Sequence, residues 1–260
     1  MPKTIDRFPE GIVTPPTSKS IGHRALICAA LAGGDRALRL VRNLGVSDDI
    51  TATRCGILKL SAAFRGDGAI SDPNSIGMEE RIIDCGESGS TLRFLIPLAG
   101  LDDHEWIFRG RGRLMERPLD IYKEAFALHG GEFVRRSDEV RVCGPLRSGM
   151  YEIPGDVSSQ FISGLLLALP LTGGDSEIIL ASPLESADYV RLTIDVMSAF
   201  GVHTEEVGEG GDGIAHFDEV TGWRVPGGQS YKAAKYGVEA DWSQAAFFLC
   251  AGALGRRVAV

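Results

Sequence analysis

No apolar run in this sequence is long enough to cross a bilayer. The longest, Phe161 to Leu171, is interrupted by Ser163 and Gly164 and falls far short of the roughly 20 residues a spanning helix needs. The N-terminus also lacks a basic segment followed by an apolar one. Met1 to Thr17 mixes charges with prolines and reads unlike a secretory signal, which makes the cytoplasm the expected compartment. Cysteine is scarce and odd in number: Cys28, Cys55, Cys85, Cys143 and Cys250 form no Cys-x-x-Cys pair. Neither a disulfide framework nor a zinc site fits that spacing, and buried free thiols in a reducing compartment are expected instead. The histidines include no His-x-x-x-His pair, so no structural metal is expected. Positive charge is in deficit, with a net charge of -8 and a pI near 5.2. The field of the whole molecule therefore repels polyanions, and no nucleic-acid partner is expected, although a small anion held by a few clustered cations is compatible with it. There is no Gly-x-x-x-x-Gly-Lys-Ser/Thr loop and no Gly-x-Gly-x-x-Gly after a strand, which leaves NTPase and dinucleotide folds without support.

What is present is a globular composition with an internal repeat. The 260 residues, 44% hydrophobic and 24% charged, suffice for one large domain or two ordinary ones. Glycine is abundant, at 33 residues, and its placement marks repeated units. Ser20-Ile-Gly-His-Arg-Ala-Leu-Ile opens an apolar segment ending at Gly33-Gly34, Ser88-Gly-Ser-Thr-Leu-Arg-Phe-Leu opens one ending at Gly100, and Ser158-Ser-Gln-Phe-Ile opens one ending at Gly173-Gly174. Arg24, Arg93 and Ile162 follow one another at intervals of 69 residues, as do Asp48, Arg117 and Ser186. In the first helix of each unit apolar residues recur at helical spacing, as at Phe161, Ile162, Leu165, Leu166 and Leu169. Short β-type runs follow (Ala37 to Val41, Glu105 to Phe108, Ser176 to Leu180), then second helices (Asp48 to Leu60, Pro118 to His129, Tyr189 to Phe200), then further strands such as Glu139 to Cys143. The expected fold is α/β, with three similar units in pseudo-threefold arrangement. A fourth opening, Asp241-Trp-Ser-Gln-Ala-Ala-Phe-Phe, is followed by the start of a strand at Arg256 to Val260. That copy stops about 20 residues into a unit that elsewhere takes about 70, so the chain is expected to be a fragment of a longer protein.

Each helix opening consists of Ser, Thr, Gly and Asp, the residues that cap helix N-termini, and capping alone accounts for any one of them. The neighbouring cations change the reading. Lys19 and Arg24 flank the first opening, Arg93 follows the second, and Arg113 and Arg117 precede the second helix of that unit. Free N–H groups and the positive dipole end of a helix bind phosphate or carboxylate. Several such openings converging with Lys and Arg would make an anion pocket in an otherwise acidic protein.

The residues themselves resemble a known family. Ser18-Lys-Ser-Ile-Gly-His-Arg-Ala-Leu, Gly86-Glu-Ser-Gly-Ser-Thr-Leu-Arg, Arg113-Leu-Met-Glu-Arg-Pro-Leu, Gly155-Asp-Val-Ser-Ser-Gln-Phe, Ser186-Ala-Asp-Tyr-Val and Asp241-Trp-Ser resemble the ordered motifs of the EPSP synthases, the 3-phosphoshikimate 1-carboxyvinyltransferases. The resemblance runs from about residue 14 to the last residue. It implies domains of three βαβαββ units, with residues 20 to 227 as one complete domain and residues 1 to 19 with 228 to 260 as part of a second. It implies a monomer that transfers the enolpyruvyl group of phosphoenolpyruvate to the 5-hydroxyl of shikimate 3-phosphate through a tetrahedral adduct, releasing phosphate without metal or cofactor.

On that resemblance Lys19 is the catalytic cation and also touches both substrates. Ser20, Arg24, Ser158, Ser159, Gln160, Ser186 and Tyr189 match the positions that hold shikimate 3-phosphate, with Arg24 as the charged anchor. Gly89, Arg113 and Gln160, together with Lys19, match those around phosphoenolpyruvate. Three places depart from the family pattern: Glu87 stands where many members have Asn, Ser90 where many have Thr, and Ala187-Asp188 where a basic residue and Pro are usual. The family's acidic proton-transfer residues lie in a C-terminal portion that this chain lacks; Asp241 reads as a helix cap and no substitute. The UDP-N-acetylglucosamine enolpyruvyltransferases are the nearest alternative, but they carry a cysteine in the loop before the Arg-Pro pair, and Gly110-Arg-Gly-Arg-Leu-Met-Glu-Arg-Pro has none. A non-catalytic phosphate-binding domain is the alternative outside enzymology, and it is the behaviour expected of the fragment alone.

Overall fold

The computed structural model describes residues 11–65, 81–208, 220–254 and 258–259. In chain order its elements are β1 (Gly11–Ile12), α1 (Lys19–Leu38), β2 (Val41–Arg42), α2 (Asp48–Arg65), β3 (Ile82–Asp84), α3 (Gly89–Ala99), β4 (Trp106–Arg109), α4 (Asp120–Leu128), β5 (Glu132–Arg135), β6 (Glu139–Cys143), β7 (Met150–Ile153), α5 (Ser159–Ala168), β8 (Ser176–Leu180), α6 (Ala187–Ala199), β9 (Glu205–Gly208), β10 (Val220–Val225), β11 (Tyr236–Gly237), α7 (Trp242–Ala253) and β12 (Val258–Ala259).

The repeat is visible in the strand connections. Two four-stranded sheets have the orders β3-β4-β6-β5 and β7-β8-β10-β9. In each, the first two strands are parallel across a helix and the remaining pairings are antiparallel, which is a βαβαββ unit drawn twice. The unit containing α1 and α2 borrows its first strand from far along the chain, since β11 pairs in parallel with β2. Any further strands between α2 and β3 lie outside the described residues.

The first helix of each unit is buried on every side. Ile21 to Ala30 in α1 and all of α5 except Gln160 are buried, so these helices form the centre of the domain rather than one face of it. With α2 and α6 they close a ring of successive contacts. Such close approach needs small residues. A Cβ on Gly164 would lie 2.2 Å from the Tyr122 hydroxyl and 2.6 Å from the Arg93 carbonyl.

Most of the strand expected at Ala37 to Val41 is the end of α1 and a turn. Gly34 adopts φ 58 and breaks α1, but the chain then resumes a helical turn that buries Ala37 and Leu38, leaving only Val41–Arg42 extended. Three thiols also depart from expectation. All five cysteines are free, but only Cys28 and Cys85 are buried; Cys55 and Cys250 are exposed and Cys143 is half-buried.

Residues beyond 227 continue the same core. Tyr231 donates its hydroxyl to the Leu167 carbonyl at 2.9 Å and Val238 is 2% exposed. The chain then leaves beside its own entry: Thr17 bridges Ala240, Ser18 N–H donates to Glu239 O, and Asp241 N–H donates to Pro16 O. Beyond this paired crossing β1 and β12 run parallel and α7 begins, capped by Asp241 accepting from the Gln244 N–H. Trp242, Phe247 and Leu254 of this segment are exposed. Of the strand expected at Arg256 to Val260, Val258–Ala259 is seen and the remainder lies outside the described residues. No helix among the described residues is long and apolar enough to cross a membrane.

Candidate functional site

The three central helices present their N-termini to one cleft. Ser18 caps α1 by accepting from Ile21 N–H, Ser88 caps α3 from Thr91 N–H, and Ser158 caps α5 from Gln160 N–H. Each cap begins with an extended residue, so the first-turn N–H groups face outward. The cleft has a volume of about 440 Å³ and is lined by Ser20, Arg24, Ser90, Arg93, Arg117, Val157, Ser158, Ser159, Gln160, Glu185, Ser186 and Tyr189.

Arg24 lies at its floor, 2% exposed. Its Nε donates to Thr193 Oγ1 at 2.6 Å, one terminal nitrogen to the Ser20 carbonyl at 2.8 Å, and the other to the Tyr189 carbonyl at 3.0 Å and Ser163 Oγ at 3.3 Å. The guanidinium also sits 4.9 Å from the Phe94 ring centroid. All of these partners are neutral. Burial accordingly lowers the Arg24 pKa to about 10. An anion in the cleft would supply the compensation that the protein does not.

Arg93 and Arg117 add two more cations. Arg93 donates to Gln160 Oε1 at 2.7 Å, and Gln160 Nε2 donates in turn to Ser90 Oγ at 2.9 Å. The Arg93 Nε is buried without a hydrogen-bond partner, and its pKa is lowered first by burial and further by neighbouring Arg117. Arg117 makes no ion pair among the described residues. Its guanidinium lies against Gly89, where a Cβ would come within 2.3 Å of it. Among the described residues, the only carboxylate lining the cleft is Glu185.

Ser186 is held in the left-handed region, φ 59 and ψ 42, at the start of α6, yet its hydroxyl makes no capping bond. A non-glycine residue there is strained by of order 1 kcal/mol or more, and Ser186 lines the cleft.

Seven of the residues expected from sequence, Ser20, Arg24, Ser158, Ser159, Gln160, Ser186 and Tyr189, meet in this cleft. Three do not line it. Gly89 lies behind Arg117, Lys19 Nζ donates to Asp49 Oδ2 at 3.2 Å on the surface, and Arg113 Nε donates to Glu116 Oε2 at 3.0 Å with its side chain 90% exposed. Arg93 and Arg117, noted in the sequence as cations near the helix openings but given no substrate role there, line the cleft, and the 69-residue register makes them the counterparts of Arg24 and Ser186. Asp102, Asp103 and His104 are near enough together to hold a cation, but none lines the cleft. Asp102 already accepts from the His104 backbone N–H and from Trp106 Nε1.

Comparison with known proteins bears on the same residues. The family model "EPSP synthase (3-phosphoshikimate 1-carboxyvinyltransferase)" matches residues 5–260. The chain is 39% identical over 259 residues to the 3-phosphoshikimate 1-carboxyvinyltransferase of Clostridium perfringens strain SM101, covering 95% of this chain and 57% of that protein. It is 40% identical over 255 residues to that of Clostridium kluyveri, covering 96% and 56%. It thus spans a little over half the length of these curated relatives. Its fold is shared with EPSP synthase from Acinetobacter baumannii, at a TM-score of 0.65 and 22% identity over 92% of this chain and 52% of the other. With a repeat, a cleft and a sequence match that all agree, the chain belongs to the EPSP synthase family.

Proposed function

We propose that this chain serves the transfer of the enolpyruvyl group from phosphoenolpyruvate to the 5-hydroxyl of shikimate 3-phosphate, and that its cleft is the binding wall for the acceptor. The observation that carries the reading is the convergence of three serine-capped helix N-termini on Arg24, Arg93 and Arg117 in a protein of net charge -8. Ser20, Arg24, Ser158, Ser159, Gln160, Ser186 and Tyr189 take shikimate 3-phosphate. Arg93, Arg117, Gln160 and the N–H of Gly89 take the phosphate of phosphoenolpyruvate, where they stabilise the charge that grows as the C–O bond to phosphate breaks.

Lys19 and Arg113 are drawn in on binding. Each is held by an exposed pair, to Asp49 and Glu116 respectively, and such pairs are worth about 1 kcal/mol at most. A phosphate dianion under the helix dipoles competes successfully with that. Proton transfer to the methylene carbon and from the attacking hydroxyl falls to groups outside this cleft, since among the described residues Glu185 is the one carboxylate lining it. We place the domain boundary at the paired crossing near Thr17 and Ala240 rather than at residues 20 and 227, because Tyr231 and Val238 share the core. The compartment is the cytoplasm, where five free thiols stay reduced.

The test is acceptor selection. The chain should bind shikimate 3-phosphate and not UDP-N-acetylglucosamine, and phosphate release from phosphoenolpyruvate by the complete protein should require the former. Binding or turnover with the UDP-sugar alone refutes the proposal.

A further inference from the structure

A chain of four buried polar side chains runs behind the cleft, and none of them lines it. His23, on α1, has Nδ1 2.7 Å from Thr53 Oγ1 on α2; Thr53 Oγ1 is 2.6 Å from Thr91 Oγ1 on α3; and Thr91 Oγ1 is 2.7 Å from Ser88 Oγ, the cap of α3. All four residues are at most 3% exposed. Three helices are therefore joined by hydrogen bonds where apolar packing would be the simpler solution.

The hydrogen count favours one direction. The single hydroxyl proton of Thr91 has Ser88 Oγ and the Asp49 carbonyl, 3.3 Å away, in reach, and Ser88 Oγ already accepts from Thr91 N–H. With its proton given to either, Thr91 Oγ1 accepts from Thr53, and Thr53 Oγ1 must then accept from His23 Nδ1–H. The imidazole stays neutral in this setting. Burial, assisted by Arg24 and Lys19 and opposed by Asp49, lowers its pKa to about 4.

One end of the chain reaches the site. At that end are Gly89 and Ser90, the first residues of α3, which meet Arg117 and Gln160. At its side is Asp49, whose carboxylate holds Lys19. We propose that His23 is a positioning residue of the cleft, its Nδ1–H driving a one-way hydrogen-bond chain through Thr53 and Thr91 that fixes the N-terminus of α3 against α1. This inference rests on the proposed function for the identity of the ligand and on the geometry alone for the chain.

The experiment compares H23L, H23N, T53V and the H23L/T53V double variant with the parent, by calorimetric titration with phosphoenolpyruvate in the presence of shikimate 3-phosphate, thermal melts and backbone amide spectra. T53V is nearly isosteric and keeps the test open if H23L folds poorly. Each single break should weaken binding about fivefold or more, and the double variant should be no worse than either single one, since both break one chain. H23N, whose amide N–H replaces Nδ1–H, should recover affinity to within about twofold of the parent. The nitrogen-15 spectrum of His23 should show the Nδ1–H tautomer. Lowered melting temperatures with unchanged affinity, additive losses, failure of H23N to recover, or the Nε2–H tautomer would each overturn the proposal. If the parent itself does not bind both ligands, the proposed function fails, while the amide signals of Gly89 and Ser90 in T53V still decide this inference: unmoved signals overturn it.

Discussion

Replacing Arg24 with methionine separates binding from folding, because the two effects have different sizes. The guanidinium makes four hydrogen bonds, to Thr193 Oγ1, Ser163 Oγ and the carbonyls of Ser20 and Tyr189. At about 1 kcal/mol net for each, their loss costs about 4 kcal/mol of stability. Against that stands the burial of an uncompensated cation, whose pKa falls from 12.5 to about 10. At 1.36 kcal/mol per pKa unit, removing that charge returns about 3 kcal/mol. Methionine fills most of the volume, so Arg24→Met should destabilise the chain by only about 1 kcal/mol. Ligand binding has no such offset. A charge-assisted bond to phosphate or carboxylate contributes about 1.5 to 3 kcal/mol, so shikimate 3-phosphate should bind about 10- to 150-fold more weakly. Urea unfolding and calorimetric titration at low ionic strength measure the two quantities on the same preparation. A stability loss near 4 kcal/mol with undiminished affinity would refute the argument and make Arg24 a core hydrogen-bonding residue only.

Three further outcomes follow from neighbouring geometry. Gly89→Ala places a Cβ 2.3 Å from an Arg117 terminal nitrogen; the flexible side chain swings away, so the melting temperature should hold while phosphate affinity drops, and a large stability loss would contradict this. Ser186→Ala should weaken shikimate 3-phosphate without destabilising α6, because the hydroxyl makes no cap, whereas Ser158→Ala removes a capping acceptor and should cost about 1 kcal/mol of stability; urea titrations of both variants distinguish the two roles. His23 has a folded pKa of about 4 against 6.5 unfolded, so the unfolded state binds more protons between these values and stability should fall by about 3 kcal/mol as the pH drops from 7 to 4; H23N should lose that component of the acid dependence, and an unchanged pH profile would show that His23 is not buried neutral.

Local rules made much of the fold legible. The caps Ser88, Ser158 and Asp241 and the strands Glu139–Cys143 and Ser176–Leu180 stand where the sequence places them, because capping and alternation act over a few residues. The 69-residue register carried the architecture, since β3 to β6 and β7 to β10 share one connection pattern. What escaped depends on distant partners. Tyr236 pairs with Val41 across nearly 200 residues, and no local signal announces that β11 completes the unit of α1. Ala37 and Leu38 read as the start of a strand because they are short and apolar, and burial beside the broken helix overrides that preference. At the site, serines at helix openings and their flanking cations were readable one by one. Choosing Arg117 over Arg113 as a lining residue was not, since the turn at Leu114–Glu116 between them decides which guanidinium faces the cleft.

The central claim is that the capped N-termini of α1 and α5 form a binding wall for shikimate 3-phosphate, beside the α3 N-terminus that takes the second phosphate. Titration of the isotopically labelled 260-residue chain with shikimate 3-phosphate, followed residue by residue in amide spectra, tests it most directly. Saturable shifts should concentrate at Ser20, Arg24, Ser158, Ser159, Gln160, Ser186 and Tyr189, weaken with added salt, and be absent with UDP-N-acetylglucosamine. Shifts confined to other surfaces, such as the groove of Asp48, Asp84 and Glu87, or no saturable binding at all, would contradict the account.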